Sequence, residues 1–235
     1  VRAFSTVPVV ALAVYAHPDD ADVAAGGSLA AWARAGAETH LIIVCDGAKG
    51  SHDADASIEL LRAQRADELA SAAKLLSVTS VECLQYRDGE FSNDVHLRAT
   101  LVGAIRRLRP DVVCGPDPTA TFFDGVYVNH RDHRETGWAL LDAVAPASSM
   151  PLYFPEAGDA HGVSHLLLSG THDPDVVVDV ADSVHDKVNA VLAHSSQLSD
   201  DPEWVRSIIM GRAQHTGREI GVAYGEAFRH VSFAH

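Results

Sequence analysis

The stretch Tyr15-Ala16-His17-Pro18-Asp19-Asp20-Ala21-Asp22-Val23-Ala24-Ala25-Gly26-Gly27 decides how the chain is read. It follows an apolar, strand-like run, Val9 to Tyr15, and leads into a helical pattern from about Asp22 to Ala35. A histidine and several carboxylates therefore stand at the carboxyl end of a strand. Pro18 stiffens that turn by fixing φ and removing a backbone donor. His17 and Asp20 are the imidazole and carboxylate ligands that suit a divalent ion such as zinc, which leaves Asp19 as a free carboxylate beside them. Capping the next helix would need one aspartate. Three with a histidine point to chemistry.

Outward from this stretch the same arrangement recurs. His40–Cys45 runs into Asp46-Gly47, Val81–Leu84 into Arg87-Asp88-Gly89-Glu90, Asp111–Cys114 into Gly115-Pro116-Asp117-Pro118, and His165–Leu168 into Gly170-Thr171-His172-Asp173. Helical periodicity fills Ile58–Leu76 and Asp94–Leu108 between them. Short apolar strands alternating with helices predict an α/β fold, a mostly parallel sheet with helices on both faces. Ligands in such sheets bind beyond the carboxyl ends of the strands, where these polar turns fall. Farther on, Val176–Val180 reads as a strand and Asp182–His194 as a helix, while Trp204–Thr216 and Gly221–Phe228 read as helical or mixed. Thr119–Asn129 is the longest irregular stretch, and Ala145–Met150 and Glu156–Gly162 read as mobile loops. No repeat or linker divides the chain, so residues 1–235 are expected to form one domain.

Gly26-Gly27 invites a dinucleotide reading, but the G-x-G-x-x-G spacing is missing and a carboxylate-lined cradle would repel a pyrophosphate. These glycines are expected to let the helix pack close to the sheet. The net charge of −14 argues against nucleic acid or an anionic membrane as the main partner. No apolar run approaches spanning length. Cys45, Cys83 and Cys114 lie in apolar runs, as reduced core thiols of a cytoplasmic protein would.

A second cluster, Asn129-His130-Arg131-Asp132-His133-Arg134, precedes a helical run, Arg134–Val144. His130 and His133, three apart, share one side of a helical turn, and Asp132 can orient an imidazole. The first turn offers two ligands and this cluster a third, which leaves a coordination position open for water. Asp19 is placed to take a proton, and the remaining histidine to stabilise an oxyanion or donate one. The chemistry is metal-assisted hydrolysis.

Ala16-His17-Pro18-Asp19-Asp20, Gly26-Gly27, Arg65-x-x-Glu68, His130-x-Asp132-His133, Lys187 with His194-Ser195-Ser196-Gln197, and Tyr224-Gly225-Glu226-Ala227-Phe228 together make the chain resemble the LmbE-like or PIG-L family of metal-dependent N-acetylglucosaminyl deacetylases. The resemblance implies a Rossmann-like fold. It also implies His17, Asp20 and His133 as zinc ligands (Fe²⁺ or another divalent ion in its place), Asp19 as general base, and His130 as acid or oxyanion stabiliser. Asp132 would orient a histidine, foremost His130. Arg65 and His194 would contact an amino-sugar substrate. Family members commonly carry Glu just after the paired aspartates, where this chain has Ala21 and Asp22.

Each weaker candidate has a plainer reading. Arg65 can pair at a helix surface, Asp88 and Glu90 can line the pocket rim but more plainly sit in a solvated turn around Gly89, and His194 can meet a helix C-terminus. Two other functions fit the ligand set: a non-haem Fe(II) oxygenase built on two histidines and a carboxylate, and a non-catalytic metal- or sugar-binding domain. Asp19 and His130 favour hydrolysis, since neither alternative needs them. A homo-oligomer is among the assemblies the sequence allows.

Overall fold

The computed structural model describes residues 1–198 and 201–233. Its strands in chain order are β1 (Arg2–Ala3), β2 (Val10–Tyr15), β3 (Glu38–Cys45), β4 (Ser80–Tyr86), β5 (Val112–Pro116), β6 (Phe122–Phe123), β7 (Tyr127–Val128), β8 (His165–Ser169), β9 (Val176–Asp179) and β10 (Gly225–Ser232). The α-helices are α1 (Asp20–Arg34), α2 (Ile58–Leu75), α3 (Val95–Leu108), α4 (Arg131–Asp142), α5 (Val184–Ala193) and α6 (Pro202–Arg218). Eight strands form one sheet in the order β1-β9-β10-β8-β5-β2-β3-β4. The block β8-β5-β2-β3-β4 is parallel, as the helical crossovers require. Buried side chains fill both faces. One core gathers Leu12, Val14, Leu101, Ile105 and Leu140 under α3 and α4; the other gathers Ala13, Tyr15, Leu29, Trp32 and Phe228 under α1.

Three expectations are corrected. Gly221–Phe228 is not helical: β10 runs antiparallel to both β8 and β9. Thr119–Asn129 is not irregular throughout, because β6 and β7 pair there as a short hairpin. The segments read as mobile loops are held by Arg106, which is buried and donates to the carbonyls of Ala147, Ser148, Met150, Tyr153, Phe154 and Gly158.

The topology fixes where a site can form. From β2 the chain moves outward to β3 and β4, then returns to place β5 on the other side of β2. The loops leaving β2 and β5 therefore diverge, and the crevice between them is the switch point at which open α/β sheets bind ligands. His17 leaves β2, and the segment leaving β5 leads to His130.

Of the paired glycines, Gly27 acts as the sequence suggests, while Gly26 makes only ordinary contacts to Lys187 and Leu76. The Gly27 and Ser28 N–H groups, 2.9 and 2.7 Å away, donate to Glu226 of β10, and Lys187 of α5 closes the same carboxylate. A Cβ on Gly27 would lie 2.9 Å from Val180 and 3.0 Å from Glu226. Gly27→Ala is therefore expected to cost about 1–3 kcal/mol by overpacking. It should appear as a lower urea midpoint at unchanged slope.

Candidate active site

Three donor side chains converge at the switch point. His17 Nδ1 lies 3.1 Å from Asp20 Oδ2 and 3.2 Å from His133 Nε2, and His133 Nε2 lies 3.1 Å from Asp20 Oδ1. The far ring nitrogens fix the tautomers. His133 Nδ1 is 3.0 Å from the Asn129 side-chain oxygen, to which it donates. His17 Nε2 faces Asp88 Oδ1 and Asp132 Oδ2, each at 3.5 Å. Two imidazole lone pairs and a carboxylate thus point at one place, which is repulsive unless a cation lies among them. Their spacing is that of ligands about 2.0–2.1 Å from a common ion. His17, Asp20 and His133 fit a divalent metal.

The field agrees. Burial opposes charge on His17, yet Asp20, Asp132 and Asp88 outweigh it and raise the ring's pKa. Burial likewise opposes charge on Asp20, but His133 and His17 hold its carboxyl well below the usual range. A second set, His17, Cys45, Asp88 and Asp132, also lies close enough to hold an ion. Burial pushes the Cys45 thiol up, and this set uses the nitrogen that donates to carboxylates. The set with His133, which borders an open cavity, is the better metal site.

Asp132 is corrected here. Its carboxylate accepts from the Gly89 N–H at 2.7 Å and faces His17, so it orients that ring instead of His130. Asp88 is corrected too: it is buried, its Oδ2 accepts from the Lys49 N–H at 3.1 Å, and it faces His17. Only Glu90 sits in solvent, paired with Lys49. The helix of the second cluster starts at Arg131, three residues before the expected Arg134. His130 becomes its N-cap, and His130 Nδ1 accepts from the Asp132 N–H at 3.2 Å. That bond leaves the proton of the neutral ring on Nε2. Burial, then the neighbouring His17, lowers the His130 pKa and favours this neutral donor form.

Asp19 stands at the N-cap of α1, but its side chain makes no capping bond. Its Oδ1 instead accepts from Arg65 Nη2 at 2.6 Å, while Arg65 Nη1 donates to the Gly47 carbonyl at 2.8 Å. Arg65 is only 2% exposed, so the surface-pair reading fails and the side chain positions Asp19. His194 is neither in the crevice nor at an exposed helix end. It is fully buried, and its Nε2 lies 2.6 Å from Asp22 Oδ2. That contact ties α5 to α1 and removes His194 from the substrate-binding set.

The crevice wall brings in residues the sequence reading left without a role. Tyr127 of the hairpin lines it on both sides of the donor set, and Gln197 lines one side. Asp88 had a legible signal, a carboxylate in the turn after a parallel strand. Asn129 had one too, four residues before a candidate ligand histidine and just ahead of the helix N-cap.

Residues 12–144 match the family model described as PIG-L: GlcNAc-PI de-N-acetylase. The chain is 30% identical over 229 residues to the diacetylchitobiose deacetylase of Thermococcus kodakarensis, spanning 94% of this chain and 82% of that protein. It is 30% identical over 236 residues to a 1D-myo-inositol 2-acetamido-2-deoxy-alpha-D-glucopyranoside deacetylase of Mycobacterium sp., spanning 81% and 75%. Among solved structures, the N,N'-diacetylchitobiose deacetylase from Pyrococcus horikoshii superimposes with a TM-score of 0.86 at 32% identity, over 96% of this chain and 84% of that one.

Proposed function

This chain belongs to the PIG-L family, and from that premise we propose that it is a metal-dependent hydrolase removing the N-acetyl group from an N-acetylglucosamine-type sugar or conjugate. One observation carries the reading: the convergence of His17 Nδ1, Asp20 and His133 Nε2, with Asp19 and His130 lining the same cavity. The curated relatives are deacetylases of such sugars, and the family is metal-dependent. Two imidazoles and one carboxylate suit zinc, and Fe²⁺ also fits.

A divalent ion held there would polarise the amide carbonyl and acidify water. The remaining roles belong to the chain. Asp19, aimed by Arg65, takes the proton from the attacking water. His130 presents Nε2–H to the oxygen that becomes an oxyanion. Asp88 and Asp132 hold the His17 ring, and Asn129 holds that of His133. A carboxylate base beside the metal ligands is what hydrolysis needs and an oxygenase does not.

The test is metal content together with acetate release from N-acetylglucosamine and N,N'-diacetylchitobiose. Purified protein should carry one ion per chain. Chelation should abolish acetate release, and zinc or cobalt should restore it. Full activity in demonstrably metal-free protein would overturn the proposal.

A further inference from the structure

We infer that this site takes N-acyl groups longer than acetyl, in an apolar chamber opposite the one that receives the sugar. The inference rests on the N-deacylase reading above. Two cavities meet at the donor set, sharing Asp19, Asp20, Tyr127 and His133. The first, about 390 Å³, has polar walls that include Lys49, Arg65, Asp88, His130 and Gln197. The second, about 450 Å³, adds Val23, Ala24, Pro116 and Phe123, with Asn129, Ser169 and Arg212 as its polar members. It shares Val23, Ala24 and Gly170 with a third of about 590 Å³ that adds Pro174, Ile209 and Ala213 beside Lys187, His215 and Thr216.

The scissile carbonyl carbon carries two substituents that leave in different directions, the nitrogen with its sugar and the acyl chain. A sugar buries several hydroxyls, each of which needs a partner. The first chamber supplies most of them. Hydrocarbon favours the apolar walls. Apart from Arg212 and the site residues themselves, the polar groups near the second chamber are already engaged: Tyr15 with Ser169 at 3.0 Å, Asn129 with His133 at 3.0 Å, and Lys187 with Glu226. An acetyl methyl occupies roughly the ~30 Å³ of one water, a small part of 450 Å³. Arg212 stands at the outer edge of both apolar cavities, exposed and without an ion-pair partner among the described residues, where its aliphatic stem can cover a chain leaving for solvent.

The reaction balances as amide hydrolysis. Water oxygen bonds to the carbonyl carbon, the C–N bond breaks with its electron pair going to nitrogen, and nitrogen takes a proton. An amine and a carboxylate leave.

The experiment is a chain-length series of acetyl, butanoyl, hexanoyl and octanoyl amides of glucosamine and chitobiose, with amine release measured on metal-loaded protein. We expect kcat/KM to hold or rise with length, by up to about fourfold per methylene buried. Ala24→Phe, at the junction of the two apolar cavities, should lower the octanoyl-to-acetyl ratio at least tenfold. A drop of more than tenfold from acetyl to butanoyl, with acetyl hydrolysis intact, would overturn the chamber and leave the deacetylase reading standing. An unchanged ratio in Ala24→Phe would place the chain elsewhere and overturn it too. No amine release from any member would overturn both readings.

Discussion

Asp19→Asn is expected to leave the protein folded and metal-bound while lowering kcat by roughly 10²–10⁴-fold. Asp19 is outside the donor set, so the substitution removes no ligand. The amide keeps the shape of the carboxylate, and its oxygen can still accept from Arg65 Nη2, so positioning survives. What it cannot do is take a proton from water. The side chain is 29% exposed and lines both cavities beside the donor set, which gives it access to substrate and solvent. Metal content by mass spectrometry and kcat on an acetylated sugar decide the matter. Near-normal kcat would move the base elsewhere. Asp132 could not serve, because it is fully buried against His17 and Gly89. Asp88, which lines the polar cavity, would be next.

What the sequence disclosed and what it withheld divide along one physical line. The parallel sheet was legible because burial on both faces makes its strands continuous apolar runs, and the helices between them keep a 3.6-residue period. The turn after β2 was legible because its side chains share one short segment. The partners of those side chains were not. Asp132 and Asp88 meet at His17 only because α4 packs beside the turn after β4, and no local pattern encodes that contact. His194 has a helix-end position locally, but α1 covers it and supplies Asp22. The strand β10, antiparallel between β9 and β8, was missed because it keeps polar residues such as Arg229 and His230, which dilute the apolar run. Arg65 was ambiguous because helix periodicity cannot tell solvent from a cavity wall.

The sharpest division falls between two histidines three residues apart. His133→Ala should lose the ion, since Nε2 of this ring is one of three converging donors. The variant should also lose whatever stability the ion confers, about 4 kcal/mol when free metal is ~1,000 times its Kd. The loss should appear as a melting temperature that no longer responds to added zinc. His130→Ala should keep full metal content, because its ring caps α4 through Nδ1 and is absent from the donor set. Its folding cost should be that of a lost cap, about 1 kcal/mol. Its kcat should fall about 10²–10³-fold, the usual effect of removing one oxyanion donor. Because the neutral ring offers Nε2–H and no charge is required, His130→Gln, which also presents an N–H, should recover part of that loss. Recovery by Gln would favour hydrogen-bond donation over proton transfer, and its failure would make His130 a general acid. If His130→Ala loses metal while His133→Ala retains it, the two assignments exchange and the converging donor set is not the metal site.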